Sequence, residues 1–140
     1  MSKGNSAETD ILKLIFTATA WAHIADNAAS TPATVLTLAL HTADPGEAGD
    51  QTTSEATYTG YARLSVARST LGWTCASGSC SPVNSLDFPN CTGGSNTISY
   101  WSIGTGTANY LIYSGTVTPN ISVVAGVVPR LSIASTITED

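Results

Sequence analysis

From residue 34 onward, β-branched and aromatic residues come in short runs, and nearly every run is bounded by Gly, Pro, Asn or Ser. The runs are 34-TVLTLALH-41, 61-YARLSVAR-68, 71-LGWTC-75, 83-VNSLDF-88, 97-TISYWSIG-104, 109-NYLIYSGTV-117, 120-NISVV-124 and 130-RLSIASTIT-138. Segments of this length and composition are strands, and their regular punctuation is that of an all-β sandwich or barrel. Strands do not alternate with helical patterns, which argues against a parallel α/β sheet. The run 34–41 reads as buried on both faces. The run 61–68 alternates, with Tyr61, Arg63, Ser65 and Ala67 on one face and Ala62, Leu64, Val66 and Arg68 on the other.

One helix precedes the strands. Ile11, Leu14, Ile15, Ala18, Trp21, Ala22 and Ala25 recur at steps of three and four, which marks one helical face over about residues 7–26. Ser6 or Thr9 would cap its start, and Glu8 and Asp10 suit the positive end of the helix dipole. Asn27 and Pro32 would end it. The 140 residues are expected to form a single domain, 1–140, with the strands over about 33–138.

Composition narrows the function classes. Only 11% of residues are charged and 42% are hydrophobic, which is not the balance of a disordered chain. The net charge is −5, and Lys3, Lys13, Arg63, Arg68 and Arg130 form no cluster, so no nucleic-acid partner is expected. The stretch 11-ILKLIFTATAWAHIA-25 is preceded by Glu8 and Asp10 and broken by Lys13. It reads as part of the mature soluble protein and not as a signal core or a membrane span.

The candidate sites are few. The loop 40-LHTADPGEAGDQTTSEATYTGYAR-63 gathers Asp44, Glu47, Asp50 and Glu55. Their spacing does not match a calcium loop, so no metal is expected, and the loop reads as a solvated connection. His23 lies on the helix and His41 at a strand end. A triad of His41, Asp44 and a serine can be drawn, but no nucleophile elbow accompanies it, and His41 reads as a ligand of loop backbone that orders the Asp44–Pro45–Gly46 turn. The stretches 91-CTGGS-95 and 102-SIGTGTAN-109 lack the lysine and third glycine of phosphate-binding loops and read as hairpin turns. Tyr58, Tyr61, Trp73, Tyr100, Trp101, Tyr110 and Tyr113 would form either a carbohydrate platform or, more simply, strand packing. Cys75, Cys80 and Cys91 read as small buried thiols, with a Cys75–Cys80 bridge as the alternative; pairing stays open. No catalytic residue, metal ligand or cofactor is assigned, and the chain is not expected to be an enzyme.

The order of motifs resembles a family of small virion proteins of tailed double-stranded-DNA phages. The carriers are 36-LTLALHTADPGEAG-49, 58-YTGYARLSVAR-68, 85-SLDFPNCTGG-94, 97-TISYWSIGTG-106, 110-YLIYSGTVTP-119 and 131-LSIASTITED-140. They cover the chain from about residue 10. The chain departs from the pattern at 101-WSIG-104, where relatives often show H-F-G-I, and in its three cysteines. Members of that family are labelled as capsid cement or decoration proteins and as minor tail or tail-fibre proteins. The resemblance implies a jelly-roll-like antiparallel β-sandwich of about eight strands with one N-terminal helix. It implies a capsid cement protein on the outside of the phage head, made in the host cytoplasm, binding the major capsid protein and itself as a dimer, with residues 1–10 or Thr136–Asp140 as arms. A minor tail or tail-fibre component is the alternative, and a carbohydrate-binding module the second. No membrane partner is expected.

Overall fold

The computed structural model describes residues 5–20, 33–106 and 109–138. The chain forms one helix, α1 (Asn5–Phe16), and nine strands: β1 (Val35–His41), β2 (Leu64–Ala67), β3 (Trp73–Ala76), β4 (Ser79–Pro82), β5 (Leu86–Asp87), β6 (Asn96–Gly104), β7 (Leu111–Val123), β8 (Arg130–Leu131) and β9 (Ile137–Thr138). The ladders β1–β6, β6–β7, β3–β4 and β4–β9 are all antiparallel, so the expected all-β class with an N-terminal helix holds. The sheets are β2-β1-β6-β7, β3-β4-β9 and β5-β8. The described helix is not long and apolar enough to cross a membrane.

The chain divides into two compact units. One comprises residues 1–34, 67–86 and 131–140; the other comprises 35–66 and 87–130. The first unit is built on α1. Its expected apolar face held Ile11, Leu14 and Ile15, yet the fully buried pair is Leu12 and Phe16, one turn apart, with the other three half-buried. Residues 11–16 are apolar apart from Lys13, so periodicity alone does not single out the inner seam. Phe16 meets Trp73 of β3 edge-on, with ring centroids 4.6 Å apart.

The helix is shorter than its apolar period suggests. It ends at Phe16, and residues 17–20 are not helical; Trp21–Asp26, which include His23, lie outside the described residues. Ala18 takes φ +55°, a left-handed conformation that terminates helices. The Lys13 carbonyl accepts from the Thr17 and Thr19 amides and from the Thr17 hydroxyl, so side-chain bonding competes with further turns. Arg68 then donates from Nε to the Ile15 carbonyl and from its terminal nitrogen to that of Leu14. It covers carbonyls that a helix end leaves without partners. At the other end, Ser6 and Thr9 lie inside the helix and not before it. Thr9 Oγ1 accepts the Gly78 amide at 2.8 Å.

That amide belongs to a hairpin whose second strand, Ser79–Pro82, is not an apolar run in the sequence. Ser77 (φ +53°) and Gly78 (φ +69°) make a two-residue turn of the type that matches strand twist, and β3 and β4 pair across it. Cys75 and Cys80 sit directly opposite and are joined as a disulfide, in place of the expected free thiols. Cys91 of the second unit is free and buried. β9 pairs with β4, and Ile137 is buried, so Ile137–Thr138, within the expected arm Thr136–Asp140, is held in a sheet.

In the second unit β1 is covered on both faces. Leu36, Leu38 and Leu40 are buried on one side, opposite Ile103 and Trp101 of β6 through the Leu38–Ile103 and Leu40–Trp101 pairs. Thr37, Ala39 and His41 lie on the other side with Gly104, Ser102 and Tyr100. The separate runs at 109–117 and 120–124 form one strand, β7. Its ladder with β6 steps from Tyr100–Thr116 to Ile98–Ile121, so Val117–Asn120 bulge out of the pairing.

Candidate functional site

The polar face of β1 and β6 is where the acid-rich loop comes to rest. Three buried polar side chains meet there: His41, Gln51 and Ser102, exposed by 0%, 0% and 1%. His41 Nδ1 lies 2.8 Å from the Thr53 carbonyl, which can only accept, so Nδ1 carries the proton. Nε2 then accepts from the Ser102 hydroxyl at 2.7 Å. Gln51 donates from Nε2 to the Thr37 carbonyl (3.0 Å) and to Ser102 Oγ (3.3 Å), and accepts from Thr37 Oγ1 (2.9 Å). Each of these buried groups has a partner, which is the condition for a stable polar layer. Desolvation is the main influence on His41 and lowers its pKa; the Thr53 bond and the charge of Glu55 oppose it.

A serine hydroxyl on a histidine nitrogen, with the far nitrogen held by a carbonyl, has the connectivity of an activated nucleophile. Here it is sealed. Gln51 caps Ser102, and neither Ser102 nor His41 meets solvent. Asp44 is not the third member: its Oδ1 accepts the Gly46 amide at 2.9 Å and shapes its own turn. His41 therefore orders the loop through Thr53 and not at the Asp44–Pro45–Gly46 turn.

The other acids also stay local. Asp50 Oδ1 accepts from the amide and hydroxyl of Thr52, which hold its pKa down. Glu47 is exposed. Among the described residues no three His, Cys, Asp or Glu side chains are grouped to hold a metal ion. Glu55 has a different task. Its two oxygens take a fork from Arg63, Nε at 2.7 Å and a terminal nitrogen at 2.8 Å. Tyr61 donates to the same carboxylate at 2.9 Å while its oxygen accepts the Leu40 amide at 3.1 Å. The remaining Arg63 nitrogen donates to Asn109 Oδ1 at 2.9 Å. The carboxylate holds the Arg63 pKa up, and burial pushes the Tyr61 phenol up.

This network explains the 58-YTGYAR-63 motif. Tyr58 is buried and donates to the Pro89 carbonyl at 2.9 Å. Its own amide, like that of Thr57, is held by Asn96 Oδ1 at 2.8 Å. Gly60 has φ +98°, and a Cβ there would stand 2.6 Å from the Asn90 carbonyl oxygen. Tyr61 stacks on Phe88 at 6.5 Å and meets Tyr58 edge-on at 5.3 Å. The Phe88–Pro89 step and the tyrosine motif are two halves of one packed cluster. Tyr61 and Arg63 precede β2, so the expected alternation over 61–68 is confined to 64–67.

The aromatics do not assemble a platform. Tyr58, Trp73 and Trp101 are buried, Tyr61, Tyr100 and Tyr113 are half-buried, and Tyr110 is exposed. Both glycine stretches are structural. Thr59 and Thr92–Gly93 exchange backbone bonds, and in the second stretch the Thr105 amide donates to the Tyr110 carbonyl, with residues 107–108 outside the described residues. At Gly104 a Cβ would stand 2.2 Å from the Tyr110 carbonyl oxygen and 2.5 Å from the Gln51 carboxamide, so the glycine gives Gln51 its place. Gln51, Ser102, Asn96 and Asn109 carry no motif signature, and sequence reading passed them over. The available hint was the alternation of 97–104, which puts Ser102 on the same strand face as Ile98 and Tyr100.

The site is thus a set of braces whose most distinctive pieces are the D-P-G-E turn, the tyrosine motif and the Phe-Pro step. A comparison with curated proteins finds no match. A family model described as Podophage GP4 fiber I protein gp80 matches residues 4–138, nearly the whole chain. The chain therefore belongs to this podophage fibre protein family, and it is a bacteriophage structural protein of the virion.

Proposed function

We propose that the chain is a non-enzymatic building block of a podophage fibre, which acts by presenting a braced β body to other virion subunits. The observation that carries this reading is the family match over residues 4–138. The bonding of the polar residues supports it. The Ser102–His41 pair is closed to substrate, and the acids of the loop are occupied by local turns and by Arg63. A fibre subunit needs a rigid body and contact surfaces, and it stabilises its assembly by binding the assembled state in preference to free subunits.

The second reading is a cement protein that binds the outside of the head and bridges major capsid protein subunits. The turn and hairpin motifs that resemble such proteins favour it. Copy number and location separate the two. Virions are purified, heads are parted from tails and fibres, and this chain is measured against the major capsid protein on a stained gel. The fibre reading expects few copies per particle, leaving with the tail and fibre fraction. A ratio near a simple fraction of the capsid protein, retained on tailless heads, overturns it in favour of cement.

A further inference from the structure

The Cys75–Cys80 disulfide lies within the unit built on α1, and its two ends differ in access. Cys80 is 1% exposed, while Cys75 is half-buried. Cys75 also lines an open cavity of about 240 Å³, bordered by Lys13, Thr17, Thr70 and Thr74. Lys13 is the one charged residue among the described residues that line it. The bridge joins positions five residues apart, and the Ser77–Gly78 turn and the β3–β4 ladder already close that loop. A cross-link over so short a loop removes little freedom from the unfolded chain, so loop entropy gives it a small part in stability. Its place in the sheet gives it a larger one in holding elements together. β4 is the middle strand of β3-β4-β9, and Cys80 faces Cys75 across one ladder and Ile137 across the other. The β4–β9 ladder is only the pairs Ser79–Thr138 and Cys80–Ile137. The turn in turn holds α1, through the Gly78 amide on the Thr9 hydroxyl.

We propose that Cys75–Cys80 is a reversible redox latch, opened and closed by exchange at Cys75 with a small anionic thiol that enters through this cavity. Exchange needs a thiolate to reach a disulfide sulfur, so access decides which end is attacked. Cys75 borders the cavity, and Cys80 is closed off. Lys13 draws an anionic nucleophile to this place in a chain whose net charge is −5. The incoming thiolate bonds to the Cys75 sulfur as the Cys75–Cys80 bond breaks, and Cys80 leaves as a thiolate and takes up a proton. A second small thiolate attacks the small thiol's own sulfur in this mixed disulfide, which frees Cys75 in the same way. The protein has then gained two electrons and two protons, and two small thiols have become one small disulfide. Closing runs the same steps backward, with that small disulfide as the oxidant. Cell interiors keep accessible bridges reduced and the exterior keeps them oxidised, and a virion protein meets both conditions as the particle leaves its host. Opening the bridge loosens β4, and with it the grip on β9 and on the Thr9 contact. The latch goes beyond the fibre reading and does not depend on it.

The test treats the folded full chain with reduced glutathione, without denaturant, then traps thiols by alkylation and locates them by peptide mass. Cys75 and Cys80 are expected to be alkylated, and oxidised glutathione should close the bridge again. Cys91, free and buried, serves as the internal control: it should stay unmodified while the chain is folded. Single-cysteine variants locate the attack. With oxidised glutathione, Cys80→Ser should gain one glutathione on Cys75, and Cys75→Ser should gain none on Cys80. Lys13→Gln should slow opening by glutathione a few-fold and leave opening by the neutral thiol 2-mercaptoethanol unchanged. In the opened wild-type chain, amides of residues 79–81 and 137–138 should exchange faster with deuterium, while those of β1 and β6 keep their rates. A bridge that opens only in denaturant, or only together with alkylation of Cys91, overturns the proposal. So do equal adducts on Cys80 and Cys75, a Lys13→Gln chain that opens at the wild-type rate, or unchanged exchange at β4 and β9. The wild-type measurements stand even where a variant fails to fold. None of these outcomes bears on where the protein sits in the particle, so failure here is distinguishable from failure of the fibre reading.

Discussion

Glu55 sits in a loop with three other acids, yet it is the one whose carboxylate joins separate parts of the chain. The Arg63 fork needs a planar donor pair, which lysine lacks. The two side chains are 21% and 18% exposed, so solvent screens the pair only in part. Arg63→Lys should cost about 1–2 kcal/mol, measured by urea unfolding. A change under a few tenths would mean that the fork adds little. Gly104→Ala should cost more, roughly 2–3 kcal/mol, because the backbone carbonyl of Tyr110 cannot yield to a Cβ as a flexible side chain could. His41 gives a pH signature. Burial depresses its pKa below the unfolded value of about 6.5, so the unfolded chain takes up a proton first as pH falls. Stability should be full above that value and decline below it, until the folded-state pKa is passed. Thermal melts from pH 7 to 5 should show this decline in wild type, and less of it in His41→Gln. Equal slopes would place the acid sensitivity elsewhere.

At the scale of elements, strands were legible where apolar runs are long and turns are chemically marked, as in β1 and β6. The β3–β4 hairpin was missed because β4, Ser79–Pro82, is short and polar. Its turn signal, Ser77–Gly78, is flanked on the far side by Ser79, Cys80, Ser81 and Pro82, which do not read as an apolar run. The helix was overextended because nothing in 17–20 is glycine or proline; the stop comes from threonine hydroxyls and from Ala18 adopting a glycine-like conformation. Arg68 was equally hidden. It reads as one more residue of an alternating strand, and only the fold shows it capping α1 from more than fifty residues away. Arg68→Ala should therefore loosen the helix more than any exposed substitution on it. Amides over residues 9–16 should exchange faster with solvent deuterium while those of β1 and β6 keep their protection. Uniform loss of protection would contradict this local role.

At the scale of the whole molecule, the chain is a phage structural protein, and among its described residues His41, Gln51 and Ser102 turn their polar groups inward. The loop that most resembles an active site covers one face of a sheet. The residues beneath it with the best chemical credentials, His41 of β1 and Ser102 of β6, are bonded to one another and to their neighbours. The tyrosine motif and the Phe-Pro step were visible in sequence as family marks. Their meaning was not, because the partners Glu55, Asn96 and Asn109 are spread along the chain and meet only in the fold. The fibre and cement readings differ in where this braced body works. Intact virions labelled with antibody to the chain and gold, viewed by electron microscopy, test it most directly. The fibre reading predicts gold on the fibres and tail region with bare heads. Gold spread over the head surface would contradict it.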